Sequence, residues 1–264
     1  MGRTEKGAGM RWQLWTNIGI TCVLLVLIIM AGRKVRHFVA NDSQFTLATP
    51  DERTPGLSMR GLVYTSRSRV LETFEADFGR SIFLVPLPER RRRLLAVDWV
   101  EDAGIARIWP NRIDVRITER RPVAFINLPV SGGMSSRLLL IDSQGVLLEQ
   151  PAQSHFKFPV LSGITEEQDE LDRRPRVRAM LRLLDDLGSL AKDISEVNAG
   201  NPENLVVITQ VEGRAVELVM GNRHFSRRLQ NFMEHYPEIR RRTGNLRAFD
   251  LRLDDRITAG GQER

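Results

Sequence analysis

The sequence predicts an α+β protein. It comprises an N-terminal transmembrane helix, a small domain, and a larger mixed-sheet β-domain carrying two helices. Three observations predict it. Trp12 to Gly32 is almost wholly apolar, with no charge between Arg11 and Arg33. Ile113, Val115 and Ile117 alternate with Asp114, Arg116 and Thr118, the period of a strand with one wet face. Val177, Met180, Leu181, Leu184 and Leu187, and later Phe225, Leu229, Phe232, Met233 and Tyr236, recur at helical spacing. Strand-rich stretches alternating irregularly with helices describe an α+β chain.

Taken in order, residues 1–11 form a short basic tail. Residues 12–32 are long enough to cross the roughly 30 Å hydrocarbon layer at 1.5 Å per residue, and Trp12 and Trp15 stand where an interfacial aromatic belt lies. Arg33-Lys34-Val35-Arg36 follows the run directly, which favours an uncleaved anchor over a signal peptide. Positive charges flank both ends, so local charge does not orient the span. Residues 33–44 read as a linker, 45–120 as the small domain, 121–258 as the β-domain and 259–264 as a frayed tail.

Within the small domain, Phe45 to Leu47 suggests a short strand. A helix capped by Thr65-Ser66 carries Val70, Leu71, Phe74 and Phe78 and ends at Gly79. Pro86-Leu87-Pro88 opens a helix over Glu89 to about Val97, with Trp99-Val100 at its exit. Its Arg90 to Arg93 read as a solvated face, with lipid-headgroup binding as the competing reading. A hairpin turns at Trp109-Pro110-Asn111-Arg112.

In the β-domain, Pro122 to Ile126 begins a strand. Leu138 to Ile141 and Val146 to Leu148 flank a turn at Asp142-Ser-Gln-Gly145. Pro151 to Gly163 reads as loop and Arg176 to Ala191 as helix. Strands are expected over 194–198, 205–209 and 215–220. A second long helix ends near Pro237 or slightly beyond, and Leu246 to Leu253 is the last strand.

Charge and side-chain chemistry narrow the function. The net charge is +6, but residues 1–37 hold six basic groups against Glu5 alone, leaving 33 basic and 32 acidic side chains over the remaining 227. A nucleic-acid binder carries its excess on the folded domain. Cys22 is the sole cysteine, so no intrachain disulfide or Cys-based metal cluster forms. His37, His155, His224 and His235 are widely spaced, and two of them on or near one helix make a weak metal case. No nucleophile elbow or phosphate loop is present, so neither an enzyme nor a cofactor is expected. Phe249 to Ile257 alternates well. At a sheet edge its free backbone groups accept a strand from another protein, and the ordinary alternative is a charge-protected edge.

The arrangement resembles the FtsQ/DivIB family of bacterial cell-division proteins, over nearly the whole chain. Trp99, Val100, Ala103, Arg107, Trp109 and Pro110, followed by Glu119, Arg120, Pro122 and Ala124, match the family's W-V…A…R…W-P…E-R-x-P-x-A pattern. Asp142 to Gly145, Pro159 to Gly163 and Asp250-Leu251-Arg252 match its D-x-x-G, P-x-L-x-G and closing D-L-R. Asp98 departs from the proline that many members carry before the tryptophan, and Leu57 to Tyr64 matches the first POTRA strand only loosely.

The resemblance implies a POTRA domain followed by the family's β-domain. It implies a non-enzymatic scaffold without cofactors, single-pass and type II in the inner cell membrane at the division septum. Such a scaffold holds FtsB- and FtsL-like single-pass proteins and links early division proteins to septal peptidoglycan synthesis. The partner site carried over is Asp250, Leu251, Arg252 and Leu253, continuing through Asp254, Asp255, Arg256 and Ile257. Phe232 and Tyr236 support it from the helix, and Leu253 is the apolar anchor where members often carry an aromatic residue. Trp99, Trp109 and Pro110 are expected to hold the fold. The alternative is a POTRA-containing docking or chaperone protein of an envelope secretion or assembly system.

Overall fold

The computed structural model describes residues 6–49, 56–129, 136–152 and 154–260, with side chains of the first helix described from Ile20 onward except at Cys22 and Asn41. The chain divides into two compact units, Met1–Glu119 and Arg120–Arg264.

The first unit opens on α1 (Lys6–Asn41), a single 36-residue helix. Among the described residues no helix is long and apolar enough to cross a membrane. The Trp12 to Gly19 part of the expected span lies outside the described side chains. Phe45 closes a 3₁₀ turn, Ser43–Phe45, rather than a strand, and only Thr46 makes a bridge, to Ser81.

A three-stranded sheet follows, in the order β1 (Leu57–Arg60), β3 (Arg112–Glu119), β2 (Val100–Ile108). β1 runs parallel to β3, and β2 runs antiparallel to it. The period-2 face is the core face: Ile113, Val115 and Ile117 are buried with Leu57, Val100 and Ala103. α2 (Arg67–Thr73) and α3 (Leu87–Leu94) supply Val70 and Leu94 to the same core. α2 stops at Thr73, earlier than the apolar spacing suggests. Phe74 leaves helical geometry and a 3₁₀ turn, Glu75–Asp77, carries the chain on, with Phe74 still buried. α3 starts at its prolines as expected but ends at Leu94.

The arginine run of α3 is not a solvated face throughout. Arg90 is buried and donates through Nε and Nη2 to the buried Asp77 carboxylate, at 2.5 and 2.9 Å. Arg91 reaches the Ala103 carbonyl and Asp102. Alternation over 113–118 identifies β3 but hides a second exception. Asp114, on the nominally wet face, is nearly buried beneath a two-point contact from Arg60.

The second unit is a nine-stranded mixed sheet. Its strands are β4 (Pro122–Pro129), β5 (Ser136–Asp142), β6 (Leu147–Leu148), β7 (Val160–Ser162), β8 (Ile194–Asn198), β9 (Leu205–Val211), β10 (Arg214–Gly221), β11 (Ala248–Asp250) and β12 (Thr258–Ala259). Their spatial order is β12-β11-β10-β9-β8-β7-β4-β5-β6. Two helices, α4 (Glu170–Leu187) and α5 (Phe225–Thr243), pack into one core with it. Val177, Met180 and Leu183 come from α4, and Leu229, Phe232 and Tyr236 from α5. They meet Ile126, Val197, Val207 and Leu218 of the sheet.

Three expectations need correction. Val160 to Ser162 is a central strand, not loop, parallel to both β4 and β8. α4 begins at Glu170, six residues before Arg176, capped by the Asp169 side chain and running through Pro175. α5 passes Pro237 and continues to Thr243. A proline deletes one backbone bond, and here the burial of Tyr236 and the packing of Ile239 on either side keep the helix continuous.

Candidate partner-binding surface

The closing segment was expected to be one strand, and it is not. β11 ends at Asp250, paired parallel to β10, with the Leu251 amide still bonded to the Val219 carbonyl at 2.9 Å. The chain then leaves the sheet through Leu251 to Ile257 and returns as β12, antiparallel to β11, with Phe249 opposite Ala259 and Asp250 opposite Thr258. The edge of the sheet is therefore β12, and the 251–257 segment is a loop beside α5.

Arg228 on α5 explains the departure. Its guanidinium is buried and has a partner at each nitrogen. Nε donates to Asp254 at 2.7 Å, Nη1 to the Met220 carbonyl at 2.7 Å and Nη2 to the Arg252 carbonyl at 2.6 Å. An alternating pattern has no means of reporting a cation that draws a backbone carbonyl out of line. The second Asp254 oxygen meets His224 Nδ1 at 3.0 Å, and His224 holds a left-handed backbone at the start of α5. Hydrogen bonds from Arg228 first, then His224, hold the Asp254 carboxyl below its ordinary range. Asp250 is held low chiefly by the Arg252 side chain, which grips both its oxygens.

The expected site residues separate into two groups. Phe232 and Tyr236 are buried and touch Phe249, with ring centroids 5.1 and 6.4 Å away, so they support β11 from beneath. Leu251 is buried as well. Arg252, Leu253, Asp255 and Arg256 face solvent, and Leu253 is 53% exposed. Ile257 is half-buried against the core. Between this loop and α5 run two adjoining hollows that share Asn231 and Ile257. One is lined by Arg227 and Leu253, the other by His235, Ile239 and Arg256. Arg228 and Asn231 were not read from the sequence, His224 was weighed there only as a weak metal ligand, and no local motif marks them for this surface. Among the described residues no group of three His, Cys, Asp or Glu side chains is placed to hold a metal ion.

Comparison with known proteins places the chain. Residues 134–252 match the family model "Cell division protein FtsQ/DivIB, C-terminal", and residues 57–120 match "POTRA domain, FtsQ-type". A cell division protein FtsQ of Koribacter versatilis is 32% identical over 243 residues, covering 89% of this chain and 67% of that protein. The FtsQ proteins of Novosphingobium aromaticivorans and Geotalea daltonii are each 27% identical. They cover 94% and 89% of this chain, and 77% and 82% of their own lengths. The chain belongs to the FtsQ/DivIB family of cell-division proteins.

In this FtsQ-type chain the signature residues carry structure. Trp99 is buried in a left-handed backbone with its ring 4.8 Å from Tyr64. Val100 and Ala103 are buried in β2. Arg107 donates to the Ile82 and Val85 carbonyls, both at 2.7 Å. Glu119 accepts the amides of Val63, Tyr64 and Thr65 at 2.8, 2.9 and 2.6 Å. Burial raises the Glu119 pKa, but those donors outweigh it and the carboxyl lies below its usual range. Arg120 pairs with Asp142 at 2.8 Å, and Asp142 also takes the amides of Gln144 and Val146 to close the turn at Gly145. Pro122 opens β4, opposite Asp142. Trp109 is the exception. It is 70% exposed, beside a cis bond to Pro110 in the β2–β3 loop, and does not hold the core as expected.

Proposed function

We propose that this chain is a non-enzymatic, membrane-anchored scaffold of the division machinery. It holds FtsB- and FtsL-like single-pass proteins at the 250–257 loop and the neighbouring β12 edge, and so links early division proteins to septal peptidoglycan synthesis. α1 is its anchor, with the two folded units outside the cytoplasm. The support for the anchor is chemical. Ile20 and every residue from Val23 to Met30 is a large apolar side chain 52–70% exposed, on all sides of the helix. A helix apolar all round is stable only inside a protein core or a bilayer.

The observation that carries the partner reading is the exposed loop itself. Leu253 stands among Arg252, Asp255 and Arg256, next to a two-residue edge strand whose far side has no partner strand among the described residues. An extended segment of another protein extends such an edge by backbone pairing, while the charges select the partner. Phe232 and Tyr236 then act by seating Phe249. The test is copurification of tagged full-length chain with its single-pass partners. Leu253→Lys abolishes recovery of an FtsB-like partner if the loop is the contact, and undiminished recovery moves the contact elsewhere.

A further inference from the structure

A second surface lies on the first unit, where α1 meets the folded domain. The Ser81 hydroxyl donates to the Val39 carbonyl at 2.7 Å, so the 81–84 turn is fastened to the last turns of α1. Phe38 of α1 meets Phe45 edge-on at 6.1 Å, and Phe45 meets Phe83 at 5.4 Å. Phe45 is buried in this stack, whereas Phe38, Phe83 and the adjacent Leu84 are exposed. The same turn receives the end of β2, because Arg107 spans the Ile82 and Val85 carbonyls. Ile108, the last residue of β2, and Trp109 in the loop that follows are both exposed. Isolated apolar side chains on a surface are ordinary. Five large ones on three segments tied together by named bonds make a patch that needs a partner.

Two further observations identify the partner. The apolar run ends at Gly32, and Val39 is seven residues further along the same helix, about 10 Å at 1.5 Å per residue. A headgroup layer extends roughly 5–8 Å beyond the hydrocarbon. The turn bonded to Val39 is thus held at the outer rim of the headgroups, within side-chain reach of them. The charge in this zone is mainly basic, against Asp42 just after α1. Arg33, Lys34 and Arg36 lie on α1, Arg80 precedes the turn, and Arg112 follows the hairpin tip. Aromatic side chains bordered by cations suit the boundary between an anionic headgroup layer and water.

We propose that this face of the POTRA unit docks on an anionic phospholipid surface, with Phe83, Leu84 and Trp109 seated among the headgroups. Docking would hold the unit against the bilayer. The proposal rests on the reading of α1 as a membrane anchor, and the experiment separates the two. Full-length chain carrying Cys22→Ser is labelled with a fluorophore at Leu84→Cys, Trp109→Cys or Leu27→Cys and placed in lipid nanodiscs. Lipids bearing a nitroxide in the headgroup or in the acyl chain serve as quenchers. In discs containing phosphatidylglycerol, the labels at positions 84 and 109 are quenched by the headgroup nitroxide at least about twofold more than the free dye. Position 27 responds to the acyl-chain nitroxide. Quenching at 84 or 109 no greater than for the free dye, with 27 in the acyl chains, overturns docking and leaves the anchor standing. A label at 27 untouched by the acyl-chain quencher overturns both. Equal quenching at 84 and 109 in pure phosphatidylcholine overturns the requirement for anionic lipid.

Discussion

Each folded unit contains a buried arginine paired with an aspartate, and the two pairs differ in what they fasten. Arg90 meets Asp77 with two parallel bonds, and the Asp77 side chain is fully buried. It ties α3 to the 3₁₀ turn after α2, both parts of one core. Arg228 is as deeply placed, but its aspartate, Asp254, is 35% exposed, and its other two bonds go to one carbonyl of the core strand β10, Met220, and one within the surface loop, Arg252. The first pair is a fixture of the interior. The second is a clasp, with one half fixed in the core and the other on the surface proposed to receive a partner. A cation that sets the shape of a loop is thus kept apart from the side chains the loop displays.

The largest effect should come from breaking the interior pair. Asp77→Ala leaves Arg90 charged and buried without its partner, at a cost of about 3–5 kcal/mol. A denaturation curve following the first unit reads it. Replacing both residues by apolar ones of similar volume should recover most of the loss, since two desolvated charges contribute little net stability. Arg228→Met is the corresponding cut in the clasp, at about 1.5–3 kcal/mol for charged hydrogen bonds removed. Here the cost is local. Amide exchange in 251–257 should accelerate well beyond that of β8 to β10, and uniform acceleration would mean that Arg228 serves the whole core.

Acid separates the pairs further. The Asp254 pKa is lowered in the fold, so its contribution is full above the unfolded carboxylate value of about 3.9 and is lost as pH falls through the lower folded value. Loop protection should hold from pH 7 to 5 and fail only below about 4, while Asp254→Asn shows no such step. The smallest effect belongs to the displayed side chain. Leu253→Lys should leave stability within about 0.5 kcal/mol, as exposed substitutions usually do. With the fold intact, loss of the partner in the copurification assay reports on contact.

Much of the architecture was legible because its residues obey a period. β3 was readable from Ile113, Val115 and Ile117, and both long helices from apolar spacing. What was hidden depends on partners distant in sequence. β7 has three residues between Pro159 and Gly163, too short for any period, and is a strand only because β4 and β8 flank it. Pro175 and Pro237 argue locally for helix ends, and packing overrides both. Phe249 to Ile257 alternates as a strand should, yet Arg228, more than twenty residues earlier, bends it away. Arg90 looked solvated within a run of four arginines because Asp77 lies on another element. The segment proposed to meet a partner was singled out in sequence as a strand, but its looped shape, and the separation of Phe232, Tyr236 and Leu251 from the exposed residues, came from tertiary contacts.

The three residues of β7 have a mechanical consequence. They join the β4-β5-β6 ribbon to the β8-to-β12 ribbon, with one register pair on the first side and three on the second. A tension applied by a partner at β12 and resisted near Arg120 crosses the sheet at this narrow seam. Few backbone bonds bear on it there. Cohesion comes instead from the core that Leu161 shares with Val177 and Met180 of α4, so α4 acts as a splint, and a pulled molecule should part along β7 before it loses either ribbon.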